Sequence, residues 1–399
     1  MGQHISVAVV YNHAGDDVYE KLQHVDPATL GFEPEYDIHV STVEEEYGAI
    51  VKALQQEGFR TRAVNVREDL SKLERLLRRN PPDVIFNLVE HFHDDAELEP
   101  NVAALFEMHR VPYTGAPPFA LALCHKKGLA KQVLLANGVP TPRFRLLEEP
   151  RIPKRHGLHY PLIVKPSRSD ASIGVERGSV IYDYDQLANW LPKVFEDFDP
   201  PILVEEFIEG RELHISILGN DPPEMLPPIE FDFSRLPDDH PDIISYDAKW
   251  NPLQEVYHQV HTVCPAELSK RAQEKVHDAA LRAYRITGCR DYARLDIRLA
   301  KHSHPFVLEV NPNPDLTEGV SYMESAEAAG LTFGETLRRI VQFAAARKPE
   351  PPELHPRPQE PEIKLPEVPH PPAPETGDGE EKLRSRLSRS RVRGQRSER

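Results

Sequence analysis

Cysteine is scarce in this chain, which has only Cys124, Cys264 and Cys289 among its 399 residues. They are too few and too scattered for a disulfide framework or a zinc site, so we expect reduced thiols. Apolar runs long enough to span a membrane are also missing. No basic, apolar leader precedes the strand-like residues 5–11. These absences predict a cytoplasmic protein that does not cross a membrane.

Positive charge is in deficit, with 48 lysines and arginines against 64 acids and a formal net charge of −16. This balance disfavours non-specific nucleic-acid binding by the globular part.

Proline is abundant, and residues 349–374 are dense in it, while residues 382–399 are rich in arginine and serine. Neither stretch has an apolar face, so we predict a disordered tail. Its Arg/Ser part can contact RNA or another anionic surface, but a solvated extension is the favoured interpretation.

Strand-like and helix-like segments alternate over residues 5–115, which predicts a parallel sheet with helices packed against it in an α/β fold. The strands are predicted at Ile5–Tyr11, Thr61–Val66, Val84–Leu88, Leu162–Lys165 and Ile202–Phe207, and the helices at Val43–Glu57, Asn101–His109, Lys126–Asn137 and after Leu331. We predict an N-terminal domain over residues 1–116, a second over 117–207, a third over 208–346, and the tail over 347–399.

Polar side chains with a period of two mark two strands in 291-DYARLDIRLAKHSHPFVLEVNPNPDL-316. Residues two apart share a face of a strand, so Arg294, Asp296 and Arg298 lie together while the leucines between them face a core. A turn centred on Lys301–His304 would put Asp296 opposite Glu309. Asn311 lies on the same face as that glutamate.

Two opposed carboxylates about 4 Å apart repel by roughly 4 kcal/mol at an effective dielectric of about 20. A divalent cation would remove this repulsion. Two carboxylates and an amide, with room for phosphate oxygens, suit Mg²⁺. The alternative is a structural hairpin in which Arg294 and Arg298 act as counter-ions.

The segment 165-KPSRSDASIGV-175 has the small residues that let a backbone fold closely over a polyphosphate. Ser169 and Ser172 belong to this loop, and Lys165 would emerge at its mouth as a point charge for phosphate. The loop has no G-K-[ST] sequence, so it is not a Walker A loop and a plain surface loop is the alternative.

The segment 202-ILVEEFIEGREL-213 carries acids on a strand that ends at a glycine break. Its exposed edge can hold an adenine ring, and the alternative is a charged connection between domains. In 246-YDAKW-250 a lone Lys249 stands beside an aromatic residue in a loop-like region, where the alternative is a surface lysine.

Taken in order, these segments resemble the ATP-grasp superfamily and, within it, the D-alanine–D-alanine ligases. The resemblance covers about Val84 to Val341 and is carried by VPYTG at 111–115, LVEEFIEGREL, RLDIRL and VLEVNPNP. It implies an ATP-grasp fold, with a Rossmann-like pre-ATP-grasp domain followed by two α+β lobes.

The resemblance also implies roles for particular residues. Lys126 and Lys165 would bind the nucleotide phosphates under the loop of Ser169 and Ser172, and Lys249 would bind the γ-phosphate. Adenine would be held at Glu205, Glu206, Phe207 and Ile208, and ribose by Glu212. Two Mg²⁺ ions (or Mn²⁺) would be bound by Asp296, Glu309 and Asn311, and the oxyanion would be stabilised by Arg294.

The implied activity is ATP-dependent ligation of a carboxylate to an amine through an acyl phosphate, releasing ADP and phosphate. Amino acids are the expected substrates. The sequence itself does not indicate an oligomeric state, although homodimers are common in the family. Three alternatives stay open: a ligase for a different amino acid or dipeptide pair, an ATP-binding phosphotransferase, and a non-catalytic nucleotide-binding protein.

The departures from the family pattern fall in the segments that the family uses to bind its amino-acid substrates. Ala171 and Trp250 replace the usual serine and tyrosine, Asp315 replaces a glycine, and 86-FNLVEHFHDDAELE-99 replaces a glycine-rich segment. The sequence therefore does not predict D-alanine as substrate. Residues Glu90–Asp95 are a candidate substrate rim or H-x-H metal site, with a solvent-facing polar loop favoured over the metal.

Overall fold

A computed structural model describes residues 5–14, 22, 25, 30–32, 38, 40–169 and 172–347. Ala171 and the predicted disordered tail beyond Arg347 lie outside the described residues. The described residues contain thirteen strands, which are β1 Ser6–Tyr11, β2 Arg60–Asn65, β3 Val84–Leu88, β4 Phe144–Leu147, β5 Leu162–Pro166, β6 Val180–Ile181, β7 Ile202–Glu206, β8 Arg211–Leu218, β9 Glu224–Met225, β10 Ile229–Asp232, β11 His261–Val263, β12 Tyr292–Ala300 and β13 His304–Asn311.

Eleven α-helices lie within the same described ranges. They are α1 Val43–Gln56, α2 Leu70–Arg79, α3 Glu99–Met108, α4 Pro118–Cys124, α5 Lys127–Ala136, α6 Tyr184–Asp197, α7 Tyr246–Trp250, α8 Glu255–Gln259, α9 Lys270–Thr287, α10 Ser321–Ala328 and α11 Phe333–Ala346. Among the described residues, every helix is too short or too polar to cross a lipid bilayer.

The N-terminal sheet is parallel, with strand order β2-β1-β3. Its central strand is a continuous apolar run because both faces are covered. Val7 and Val9 pack in a core with α1 and α11, and Ala8 and Val10 pack in a second core with α2 and α3. This confirms the predicted parallel sheet.

The second sheet is antiparallel, with order β4-β7-β5-β6, and α6 packs on it through Leu187 and Leu191. The third has order β11-β10-β8-β12-β13, with β9 added to β8. Helix α9 covers its apolar face and ends at Gly288, whose φ of 78° is the left-handed conformation that favours glycine. The opposite face of this sheet carries the polar side chains.

Strands β12 and β13 form the predicted hairpin, and Asp296 pairs with Glu309. Near the turn, Ala300 pairs with His304, a register that by itself would bring Leu308 opposite Asp296. A β-bulge between Asp296 and Ile297 shifts the register by one residue and restores the glutamate to that position. The leucines of β12 lie in the core under α9, as predicted.

Each sheet lies inside one of the predicted domain ranges, the first within 1–116, the second within 117–207 and the third within 208–346. The division into domains itself stays a prediction. One local prediction was wrong: 246-YDAKW-250 is not a loop but helix α7. The side chain of Ser245 caps its first turn by accepting from Ala248 N at 3.2 Å.

Candidate active site

A cleft of about 920 Å³ runs along the polar face of the third sheet. Its walls come from the second sheet, from helix α7 and from the loops that follow β3 and β13. All but one of the predicted site residues line it, namely Lys165, Ser169, Ser172, Glu205, Glu206, Phe207, Ile208, Glu212, Lys249, Arg294, Asp296, Glu309 and Asn311.

Lys126 is the exception, because the structure places it outside the cleft lining. Lys126 is the N-cap residue of α5 and is exposed, whereas Lys127 is the first helical residue and is buried in the cleft wall. Successive side chains on a helix point about 100° apart, so adjacent lysines at a helix start face in different directions. The sequence K-K gives no sign of which one turns inward.

The two hairpin acids are each held by a base. Arg294 donates to both oxygens of Asp296, from Nε at 2.8 Å and from Nη2 at 3.1 Å. Lys127 Nζ lies 2.9 Å from Glu309 Oε2. Asn311 Nδ2 also donates to Asp296, at 3.3 Å. The acids thus lie opposite each other, and each has its own counter-ion.

This donor set fits Mg²⁺. Burial, together with the charge of Glu309, raises the pKa of Asp296 despite Arg294. Burial also opposes ionisation of Glu309, but Lys127 and Lys165 hold its pKa well below the usual range. The buried carboxylate of Asp296, the half-buried carboxylate of Glu309 and the amide oxygen of Asn311 are the hard ligands that Mg²⁺ prefers. Among the described residues there is no metal cluster built from three His, Cys, Asp or Glu side chains.

His214 was missed from the sequence. It pairs with Asp296 across β8 and β12, its Nε2 lies 3.4 Å from Asp296 Oδ1, and its Nδ1 lies 3.0 Å from Ser321 Oγ. Burial, Arg294 and Lys249 lower its pKa well below the usual value, so the imidazole is neutral. The sequence signal that could have identified His214 is the alternation in 211-RELHISIL-218, which places Glu212 and His214 on one face of the strand.

At the end of the cleft formed by the second sheet, Glu205 is buried between two lysines. Its oxygens lie 2.8 Å from Lys131 Nζ and 2.6 Å from Lys165 Nζ. Burial alone would raise the pKa of Glu205, but the two ammonium groups hold it below its ordinary value. The carboxylate of Glu205 therefore pairs with Lys165 in the cleft wall, and the contact of this residue with adenine stays a prediction.

The residues that follow Glu205 form one edge of the cleft, which combines apolar side chains with hydrogen-bonding groups. Glu206 accepts from His159 N at 2.9 Å. The guanidinium of Arg298 lies 5.0 Å from the Phe207 ring centroid, and its Nη2 lies 2.7 Å from Glu212. Phe207 and Ile208 are partly exposed to the cleft.

Lys249 extends from α7 into the cleft, with its ammonium 5.3 Å from the Trp250 ring centroid. Burial and the charge of Arg294 lower its pKa. Across the part of the chain that the structure describes, no carboxylate forms an ion pair with it. An ammonium in such surroundings can receive an anionic group of a ligand.

The candidate substrate rim at Glu90–Asp95 lies partly in the cleft and partly on the outer surface. Glu90 and His91 line the cleft, whereas His93 Nδ1 lies 3.1 Å from Glu68 on the outer surface. Because His93 faces away from His91, the H-x-H spacing does not produce a pair of converging ligands.

Known proteins resemble this chain over most of its described length. A family model described as the D-ala D-ala ligase C-terminus matches residues 133–342. The uncharacterized protein y4sG of Sinorhizobium fredii is 32% identical over 75% of this chain and 87% of its own. A D-alanine–D-alanine ligase of Pelotomaculum thermopropionicum is 29% identical over 74% of this chain and 90% of its own. The fold matches a crystal structure of D-alanine–D-alanine ligase from Bacillus anthracis complexed with ATP, with a TM-score of 0.63, 22% identity and coverage of 86% and 98%.

Proposed function

Because this chain belongs to the D-alanine–D-alanine ligase family of ATP-grasp enzymes, which form carbon–nitrogen bonds at the expense of ATP, we propose that it activates a carboxylate as an acyl phosphate and joins it to an amine. The products would be an amide, ADP and phosphate. The observation that carries this proposal is that Lys127, Lys249 and Arg294 line one cleft together with the facing acids Asp296 and Glu309.

Phosphoryl transfer depends mainly on positioning and charge neutralisation. We assign Lys165, held by Glu205, and Lys127, held by Glu309, to the phosphates of ATP. This replaces the role expected for Lys126. Lys249 has no carboxylate partner among the described residues and takes the γ-phosphoryl group, which the substrate carboxylate attacks.

Asp296, Glu309 and Asn311 would hold Mg²⁺, which when bound supplies charge stabilisation for the phosphate oxygens. His214 and Arg294 both contact Oδ1 of Asp296 and so fix its orientation. The number of ions and the use of Mn²⁺ stay predictions. Phe207 and Ile208 form the adenine-binding surface, and Glu212 binds the ribose.

Attack of the amine on the acyl phosphate passes through a tetrahedral oxyanion. Arg294 would stabilise it, an effect worth about 3 kcal/mol per donor in comparable sites. The loop that carries Ser169 and Ser172 would cover the intermediate and exclude water, which otherwise hydrolyses it. The homodimer and the nucleic-acid contact of the Arg/Ser stretch stay predictions.

ADP release from the purified full chain with Mg-ATP tests the proposal, using a panel of D- and L-amino acids singly and in pairs. The expected result is ADP formation only when a carboxylate and an amine are both present. Hydroxylamine should replace the amine and yield a hydroxamate, because it traps acyl phosphates. Full-rate ADP formation without any amine or hydroxylamine would favour a phosphotransferase instead.

A further inference from the structure

Two of the three cysteines meet in the core beneath α9, although they are far apart in the sequence. Cys124 is the last residue of α4, and Cys289 follows the end of α9. Both are free thiols, and both side chains are buried in the core that α9 forms with the third sheet. A hydrogen bond joins the two thiols. A single covalent bond could therefore link the two segments here.

The packing of α9 on α4 produces this contact. Gly288 ends α9, and a Cβ built at that position would lie 4.0 Å from Ala120 Cβ. Ala120 and Cys124 are four residues apart on α4, so they lie on the same face of that helix. The backbone of Cys289 is also fixed, because its amide donates to Tyr284 O at 3.1 Å. The end of α9 therefore packs on the face of α4 that presents Cys124.

The surroundings of Cys289 favour its thiolate. The hydrogen bond with Cys124 lowers the pKa of Cys289 against the effect of burial, and Thr287, whose Oγ1 lies 3.3 Å from Cys289 Sγ, lowers it further. Cys264 differs, because burial and the charge of Glu324 raise its pKa although its side chain is more exposed. The thiolate is the nucleophile in thiol oxidation, so Cys289 should react before Cys264.

Cys124 connects the thiol pair to the cleft. Its side chain lines the cleft, through which a small oxidant can reach the pair. Cys124 ends α4 shortly before Lys127, which begins α5 and is ion-paired with Glu309. Because a disulfide bond is shorter than any contact between two thiols, oxidation would draw the end of α4 toward α9. Lys127 would then be displaced from its place in the cleft wall.

We propose that Cys124 and Cys289 form a reversible disulfide, which hydroperoxides produce and small thiols reduce, and that this disulfide weakens ATP binding. The disulfide itself is independent of the proposed function. Its effect on ATP rests on the assignment of Lys127 to the phosphates.

Two thiols reduce one hydrogen peroxide in this oxidation. The sulfur of Cys289 attacks a peroxide oxygen, the O–O bond breaks, and the departing hydroxide takes the proton of Cys289 as water. The sulfur of Cys124 then attacks the sulfenic acid on Cys289. The S–S bond forms, the S–O bond breaks, and the second hydroxide takes the proton of Cys124. One peroxide is thus converted into two water molecules, and two thiols become one disulfide.

Peptide mapping of the full chain tests the disulfide. The reduced protein is treated with a small excess of hydrogen peroxide, its free thiols are alkylated, and a non-reducing digest is analysed by mass spectrometry. The expected result is a cross-linked peptide that joins Cys124 to Cys289, with Cys264 still alkylated, and reversal by dithiothreitol. A digest without this cross-link, or oxidation of Cys264 ahead of the pair, would overturn the inference.

Isothermal titration calorimetry with Mg-ATP tests the link to the cleft. Peroxide should weaken ATP binding to the native chain at least about tenfold, the effect of one charged hydrogen bond, and dithiothreitol should restore it. Cys289→Ala, which keeps a small apolar side chain in the core, should retain its ATP affinity after peroxide. Cys264→Ala is the matched control and should lose affinity as the native chain does.

The two measurements separate the possible failures. A complete cross-link with unchanged ATP affinity would overturn the proposed effect on ATP binding. An equal loss of affinity in peroxide-treated Cys289→Ala would show that oxidation acts elsewhere, which also overturns it. If the reduced native chain does not bind ATP, the proposed function is contradicted, and the peptide map still decides whether the disulfide forms.

Discussion

Lys127 Nζ lies 2.9 Å from Glu309 Oε2 in the cleft wall, while its chain neighbour Lys126 is exposed outside the cleft. A base from the start of α5 therefore meets an acid from the end of β13. The contact joins two segments that are far apart in sequence. Lys127 inside the cleft and Lys126 outside it therefore form a matched pair for mutagenesis.

Replacing Lys127 by alanine should lower kcat/KM for ATP about 100-fold, because a charge on the transferring phosphates is lost. Lys126→Ala should change it less than about twofold, as expected for a surface substitution. Steady-state ADP release measures both. Equal losses in the two variants would contradict the assignment of Lys127 to the phosphates.

Glu309→Gln and Asp296→Asn should abolish ATP turnover while the fold is kept, because each removes an anionic metal ligand. Mg-ATP should raise the melting temperature of the native chain but not of these variants, since ligand binding stabilises only a competent site. Asp278→Asn, at an exposed ion pair on α9, is the control. Native-like turnover in both acid variants would remove the metal assignment.

Glu205→Gln should destabilise the fold by about 3–5 kcal/mol, because Lys131 and Lys165 would lose the carboxylate that compensates their burial. Glu149→Gln, which breaks the exposed pair with Arg151, should change the free energy of unfolding by less than about 1 kcal/mol. Urea unfolding at neutral pH measures both. A similar small change in the two variants would show that Glu205 does not hold the buried lysines.

Lys131 should make stability depend on alkaline pH. Burial lowers its pKa to about 8 in the folded chain, against an ordinary value of 10.5, although Glu205 opposes the shift. Between these values the unfolded chain binds more protons, so the free energy of unfolding should rise with pH, by at most about 1.4 kcal/mol per unit. Urea unfolding from pH 8 to pH 10 should show this slope reduced in Lys131→Met. Identical slopes would place the lysine pKa outside this window.

Strand periodicity predicts much of this site because a strand has only two faces. The alternation around Asp296 and Glu309 predicted the shared face, and a turn centred on Lys301–His304 predicted the correct partner. The bulge that completes the register has no sequence signal of its own. The same periodicity in RELHISIL would have revealed His214, which lies on the polar face with Glu212.

Helix starts and buried charges are harder to predict. Lys126 and Lys127 are the same type of residue at adjacent positions, and only packing decides which side chain faces the cleft. Lys131 has no local sign of burial, and its partner Glu205 is 74 residues away in sequence. Lys249 lies in a short helix whose five residues carry too little periodic pattern to separate it from a loop.

The transfer of a carboxylate oxygen to phosphate tests the central claim most directly. A carboxylate substrate is labelled with a heavy oxygen isotope, turned over with Mg-ATP and an amine, and the released phosphate is analysed by mass spectrometry. An acyl phosphate requires one labelled oxygen in each phosphate formed, because the attacking oxygen leaves with phosphorus when the amine displaces it. Unlabelled phosphate, with amide and ADP formed at the usual rate, would contradict the account.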